Sequence, residues 1–253
     1  KTLIMLTLLS AATLTISSVM ALTLYYPIAA VSRLAPSEIE FRLESEEQLT
    51  DVSQILAQYT SDSKDIGILR TDLYKVASNS DNLPIEYSLG STKNGANNED
   101  ILRESGFECI SYSQYTELLK AQGKDKILAD LPTLSDNECI LIKYQPEEKE
   151  NAEKGQQYTL QYQNREQTVT VKEVSLDNAI SFANSIGTLV VNDNLYSEIS
   201  TGQPPYVSII SLNGSALKNN EELYQALSEY LGGSPYLQGH THRINELLYL
   251  NSS

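Results

Sequence analysis

The chain has 253 residues, 41% of them hydrophobic, and sets 33 acidic side chains against 18 basic ones for a formal net charge of −15. A surplus of that sign repels phosphate-rich partners, so nucleic acids and anionic lipid surfaces are excluded as ligands, whereas a cationic partner is attracted. Two cysteines exclude a disulfide framework, and the absence of any paired Cys-x-x-Cys argues against a zinc site.

The first predicted element is the uncharged run from Thr2 to Ser32, bracketed by Lys1 and Arg33. A spanning helix needs roughly 20 apolar residues, and a helical run of this length would reach roughly 46 Å at about 1.5 Å per residue. Residues 1–33 therefore read as a transmembrane helix prolonged into a stalk. Pro27 near its outer end marks a kink or stop, and Tyr25 and Tyr26 fall where an interfacial aromatic belt would lie. A cleaved signal peptide is the alternative, but its apolar region spans only about 7–15 residues. Opening on Lys1 and not on Met, the chain reads as cut from a longer protein. One positive charge on each flank leaves the positive-inside rule nearly silent. All 33 acids and 16 of the 18 bases lie in residues 34–253, a net of −17. The plain reading of that surplus is the solubility of an exposed domain.

In the body, Ile39, Phe41 and Leu43 alternate with Glu40, Arg42 and Glu44, which predicts a half-buried strand. Ser45 with Gln48 three residues on is a capping-box signature. The helix it opens carries an apolar stripe of Leu49, Val52, Ile55, Leu56 and Tyr59. Residues 64–90 read as two or three strands with Leu69, Leu73, Tyr74 and Val76 in the core, and residues 90–100 as a polar Gly/Asn-rich loop. A strand–helix–strand unit follows: a strand from Phe107 to Tyr112, a short helix capped by Ser113 and stopped at Gly123, and a strand from Asn137 to Tyr144. Cys109 and Cys139 sit in matching strands, as two buried thiols or as one bridge. After a charged connection at 147–155, Gly155 leads into a hairpin, QQYTLQYQ and QTVTVKEV, turned by Asn164, Arg165 and Glu166. Thr188 to Asn192 is a strand followed by a helix from Asp193, and Tyr206 to Leu212 is another strand. A helix over 219–231 has Leu223, Leu227, Tyr230 and Leu231 on one side. The sum is an α/β (α+β) mixed-sheet body over 34–253, in two lobes at 34–105 and 106–253.

Motifs of catalysis are missing: there is no Gly-x-x-x-x-Gly-Lys-[Ser/Thr] phosphate loop and no Gly-x-Ser-x-Gly elbow. His240 and His242, the two histidines, would share one face of a strand. Without a carboxylate or thiol at ligand spacing, a polar loop or strand outweighs a metal site. The acid pairs Glu46/Glu47 and Glu147/Glu148 read as solvated surface. Asn213-Gly214-Ser215 and Asn251-Ser252-Ser253 match the glycosylation pattern, which matters only in a eukaryotic secretory setting. No catalytic, cofactor-binding or metal-binding residue is assigned, no cofactor is expected, and ligand-binding residues stay unassigned. The residues describe a membrane-tethered binding domain that is not an enzyme.

Four pieces then carry a family resemblance. They are the apolar helix LIMLTLLSAATLTISSVMAL and the segment ISYSQYTELLKAQGKDKI with LSDNECILI, which includes Tyr115, Gly123, Asn137 and Glu138. The others are Lys154-Gly155 before YTLQYQ and TVTVKEV, with Glu173 where glycine is usual, and LVVNDNLYSEI. In order and spacing they resemble the large extracellular domain of FtsX-like ABC transporter permeases of the BceB/NsrP type, the bacitracin- and lantibiotic-resistance (nisin-resistance) permeases. The resemblance implies a domain carried between the seventh and eighth of ten spans in a bacterial cell membrane. It implies ATP hydrolysis on a separate ATPase subunit and a sensor histidine kinase as a further partner. The ligand it implies is a cationic antimicrobial peptide or its complex with a lipid-linked wall precursor. Alternatives are a MacB or lipoprotein-release permease domain of the same broad class, or a single-pass anchored extracellular binding or adhesion protein.

Overall fold

The computed structural model describes residues 35–60, 65–78, 106–142, 154–175, 179–180, 187–218, 220–232 and 237–244. The predicted transmembrane helix and stalk, the polar loop at 90–100, most of the charged connection and the end of the chain lie outside the described residues. Among the described residues no helix is long and apolar enough to cross a membrane.

In chain order the elements are β1 (Ile39–Leu43), α1 (Glu46–Tyr59), β2 (Gly67–Ser78), β3 (Phe107–Ser111), α2 (Tyr112–Ala121), α3 (Asp125–Asp130), β4 (Glu138–Ile142), β5 (Gln157–Tyr162) and β6 (Arg165–Ser175). They continue with β7 (Thr188–Val191), α4 (Asp193–Ser200), β8 (Val207–Asn213), a 3₁₀ turn at Ser215–Leu217, α5 (Glu221–Leu231) and β9 (Leu237–Gly239). The strands run in the order β3-β7-β4-β6-β5-β2-β8-β1-β9, and β2 also pairs with β3. Six strands, β2, β3, β7, β4, β6 and β5, thus close into a ring, and β8, β1 and β9 extend from it as an open arm. The long strand β2 joins the two. Its Gly67–Leu73 half pairs antiparallel with β8, its Tyr74–Val76 stretch with β3, and Ala77 and Ser78 with β5. This single strand over 67–78 stands where two or three strands were predicted over 64–90, and residues 79–90 lie outside the described residues.

Alternation along each strand sorts the core. Inside the ring, Val76, Phe107, Cys109, Cys139, Leu141, Tyr158, Leu160, Val169, Val171, Leu189 and Val191 pack together, and Leu195 and Ile199 of α4 join them. On the outer face, Leu73, Ile110, Ile140, Ile142 and Val190 meet Tyr115, Leu118 and Leu119 of α2. The arm packs Ile39, Phe41, Ile210 and Leu212 against Val52 and Leu56 of α1 and Leu223, Leu227 and Leu231 of α5. Each such side chain contributes about 1.5–3 kcal/mol by leaving water. Strands from both predicted stretches, 34–105 and 106–253, share the arm and the ring.

Several local expectations change. Glu40 was expected on the wet face of β1 but is fully buried, and its Oε1 accepts from Ser211 Oγ of the neighbouring β8 at 3.0 Å. Tyr59 and Tyr230, expected in apolar stripes, are about two-fifths exposed. The Tyr230 hydroxyl donates to Asp51 Oδ2 at 2.6 Å, which ties α5 to α1 through their wet sides. The cap of α2 is Ser111, whose Oγ accepts from Gln114 N at 3.1 Å. Ser113, the predicted cap, lies inside that helix and bonds Asp193 instead. The hairpin turns on Gln163 and Asn164, both at positive φ (48° and 61°), the pattern of a two-residue I′ turn. Arg165 and Glu166 belong to β6. Helix α3 and strand β9 were not foreseen. The capping box of α1 forms as expected, with Gln48 Oε1 accepting from Glu44 N at 2.6 Å and Ser45 N at 3.4 Å.

Of the two readings for the cysteines, the structure takes the buried thiols. Cys109 pairs with Leu189 and Cys139 with Val191, on opposite sides of β7. Two strand spacings separate them by roughly 9–10 Å, beyond the ~7 Å a disulfide can bridge. Burial holds both thiols protonated, Cys139 pushed up to about 12 and Cys109 well above its ordinary value.

Candidate functional site: the cleft where the body's two ends meet

Antiparallel pairing of β1 with β9 (Ile39 opposite Gly239, Phe41 opposite Leu237) sets the residues before β1 beside those after β9. Direct bonds hold the two ends together. His240 N donates to Glu38 O at 3.0 Å, His240 Nδ1 lies 2.8 Å from Ala35 O, and Thr241 Oγ1 donates to Glu38 Oε2 at 3.1 Å. A carbonyl can only accept, so the ring nitrogen facing Ala35 carries the proton. Ala35 and Ser37 are buried.

Two amide side chains grip the same incoming segment. Gln122 caps the C-terminus of α2, where Gly123 leaves the helix at φ +67°. Its Nε2 donates to Ser37 Oγ at 3.1 Å and to Ala179 O at 2.8 Å. Asn213, the last residue of β8, accepts from Glu38 N through Oδ1 at 3.4 Å. The chain then turns away at Gly214 (φ +152°), where a Cβ would stand 2.3 Å from Asp65 O, so only glycine fits this passage. Lys218 Nζ reaches to 3.5 Å from Glu38 Oε1.

Between these groups lies an open cleft of about 340 Å³, lined among others by Pro36, Glu38, Gln122, Asn213, Lys218 and His240. Gln122 and Asn213 each also keep one polar atom, Oε1 and Nδ2, closed off from solvent with no hydrogen-bond partner. Neither amide can relieve this by flipping. Turning Gln122 would set its oxygen against the Ala179 carbonyl, and turning Asn213 would set its NH₂ against the Glu38 N–H.

His242 does not join His240. The strand ends at Gly239 and residues 240–244 turn helically, so positions two apart diverge by about 200°. His242 instead stacks on Tyr224 (centroids 4.0 Å apart, planes at 16°), with Nδ1 3.4 Å from Glu221 Oε1. The shared strand face expected of the two histidines is thus replaced by two separate environments. Among the described residues no group of three or more His, Cys, Asp or Glu is placed to hold a metal ion.

A second polar cluster occupies the C-terminal ends of the parallel strands β3 and β7, a place where open α/β sheets hold ligands. Here its groups bind one another. Asp193 accepts from Ser113 N (3.1 Å) and Oγ (2.6 Å), and Asp136 accepts from Asn192 and Asn194. Glu138 Oε2 accepts from Lys172 Nζ at 2.8 Å and Ser135 N at 3.0 Å, and these bonds, Lys172 first, hold its carboxyl down at about 2. The other positions that carry the family resemblance are structural too. Tyr115 is core, Asn137 accepts from Ser135 Oγ at 2.9 Å, and Glu173 pairs with Lys154 at 2.7 Å.

Sequence reasoning passed over Gln122 and Lys218 and met Asn213 only within a glycosylation pattern. Asn213 and Lys218 converge on Glu38 through the β1–β8 pairing, which sets Ile39 opposite Leu212, and a pairing between segments so far apart leaves no periodic signal.

No protein-family model and no curated protein matches the chain. Among solved structures it is similar to a Bacillus anthracis chain described as a lipoprotein, at 13% identity and a TM-score of 0.40, covering 79% of this chain and 95% of that one. It is also similar to the extracellular domain of the noncanonic ABC-type transporter YknZ from Gram-positive bacteria, at 14% identity and a TM-score of 0.28, covering 80% of this chain and 98% of that one.

Proposed function

We propose that the body is the extracellular domain of an FtsX-like ABC transporter permease of the BceB/NsrP type, which engages cationic antimicrobial peptides, bacitracin- or nisin-like, or their lipid-linked target complexes, and thereby confers resistance. The observation that carries this reading is the pairing of the body's two ends: residues 35–38 come in beside residues 240–241, bonded at 2.8–3.1 Å. A domain set into a loop between two membrane spans requires this geometry, which domains in general often have. The 31-residue uncharged run before it supports an anchor on one side. The net charge of −17 over residues 34–253 favours a cationic ligand. In this reading the chain does no chemistry. A separate ATPase subunit hydrolyses ATP and a sensor histidine kinase reads the domain.

Topology and function are tested together in intact bacterial cells. The two native thiols are fully buried, so a membrane-impermeant maleimide should label only an added cysteine, Gln58→Cys on the exposed side of α1. Labelling without lysis is expected, as is loss of bacitracin or nisin resistance when residues 35–244 give way to a short Gly/Ser linker. Labelling that requires lysis, or resistance untouched by the deletion, refutes the reading.

A further inference from the structure

Glu38 stands at the outermost rung of the β1–β9 ladder and commits every polar group it has to holding the body's two ends. Its N–H donates to Asn213 Oδ1 at 3.4 Å, and its carbonyl accepts from His240 N at 3.0 Å. Of its carboxylate oxygens, Oε2 accepts from Thr241 Oγ1 at 3.1 Å and Oε1 lies 3.5 Å from Lys218 Nζ. The side chain is only 16% exposed, so these charge-assisted contacts are largely shielded from water and salt. The end of β8, the turn after it and the chain leaving β9 thus meet on one residue. The ladder behind Glu38 is short, with three pairs: Ile39 and Gly239, Glu40 and Gln238, Phe41 and Leu237. Entry and exit leave the body at the same end of this antiparallel pair. A force that parts them therefore acts as on a zipper, rung by rung from the Glu38–His240 end.

We infer that Glu38 is a clip that keeps entry and exit bonded while the body works, so that a shift of either flanking segment carries the body as one piece and does not peel β9 from β1. The inference rests on the reading above, in which a membrane span flanks the body on each side, and adds the residue that bears the load. Its position explains why one residue suffices: the rungs behind the first bear no parting force until the first opens.

The first arm of the test follows hydrogen exchange in the whole 253-residue chain in lipid nanodiscs. Glu38→Ala is expected to speed exchange at His240 and along Leu237–Gly239 at least about tenfold, with Leu189–Val191 of β7 unchanged. Where that variant loosens β7 as well, Glu38→Gln takes its place, since it keeps an acceptor for Thr241 and drops only the charge. Exchange at His240 that stays at the wild-type rate overturns the inference. The second arm makes and cuts the tie. The bond from His240 N to Glu38 O extends the register by one pair. Facing residues of antiparallel strands have Cα atoms about 4.5–5.5 Å apart, inside the roughly 4.4–6.8 Å that a disulfide spans. Glu38→Cys with His240→Cys therefore replaces the clip by a bond that oxidant forms and reductant breaks; Cys109 and Cys139 are fully buried and stay out of that chemistry. In intact bacterial cells, nisin resistance is expected near wild type with the bond made and at least about fourfold lower once it is reduced. Full resistance in the reduced state means that the clip carries no load, and none in the oxidised state means that the ends must part; either overturns the inference. Resistance absent from wild type removes the functional reading instead, and the exchange rates alone then decide the clip.

Discussion

Single residues here are held by partners far along the chain, and their ionisation records it. The Glu138 carboxyl is drawn down from its ordinary range to about 2 by the Lys172 ammonium and then by the Ser135 N–H. A group whose folded value is depressed adds stability that is full above its unfolded value and fades as pH falls through the folded one. Melting temperature should therefore separate wild type from Glu138→Gln most clearly above about pH 4.5, with the two curves converging toward pH 2. Parallel curves over that range would mean that the pair at 2.8 Å does not bear on folding. The bulge beside it explains why Lys172 can reach. Thr170 and Val171 of β6 pair with Glu138 and Cys139, but Ile140 pairs with Glu173, so Lys172 is the extra residue. Nothing in the alternating run Thr-Val-Thr-Val-Lys-Glu-Val announces that skip. It arises from pairing with a strand about 30 residues away, which is why the sequence pointed to the hairpin but not to the lysine's partner.

At the scale of elements, local signals were legible wherever a segment decides its own structure. Ser45 and Gln48 close their box, Thr188 to Val191 form a strand, and Asn192 caps α4 by accepting from Leu195 N at 2.8 Å. They failed where two local solutions compete. Ser111 and Ser113 are equally good caps, and Asp193, 80 residues on, decides by taking Ser113 for itself. Tyr230 extends the leucine stripe of α5 on paper, yet α1 supplies Asp51 as a polar partner at the edge of the contact. Asn220 shows how a cap can serve two elements. Its Oδ1 accepts from Leu223 N at 3.0 Å, and its Nδ2 donates to Tyr59 O at 3.2 Å at the C-terminus of α1. Losing a cap of this type costs about 1 kcal/mol, and a second lost bond adds about 0.5–1.5 kcal/mol. Asn220→Ala should lower the urea midpoint accordingly, while Asn220→Asp, which keeps the cap alone, should recover about half of the difference. Equal losses in both variants would place the stabilisation in the α1 contact instead.

Over the whole molecule, ring closure by β2 decides what is sealed and charge decides what is attracted. Cys109 and Cys139 face the ring's interior, so thiol reagents should react only as fast as the ring opens, and urea should speed both thiols together. One thiol reacting in the native state would show that the ring admits solvent at that strand. Neither the ring nor the cleft could be read from periodicity, because closure and end-pairing are agreements between distant strands, and each strand alone is an ordinary alternating run. Charge needs no such agreement and acts at range. With −17 spread over residues 34–253, attraction of a cationic peptide is long-ranged in dilute salt and confined within about 10 Å at 0.1 M and about 3 Å at 1 M. On the function proposed above, a nisin-like peptide should bind the full chain in nanodiscs of neutral lipid with an association rate that falls roughly tenfold or more between 0.02 and 0.5 M salt. The dissociation rate, set by contacts made at close range, should change far less. An association rate indifferent to salt would mean that the acidic surplus serves solubility alone, and that recognition rests on contacts made after encounter.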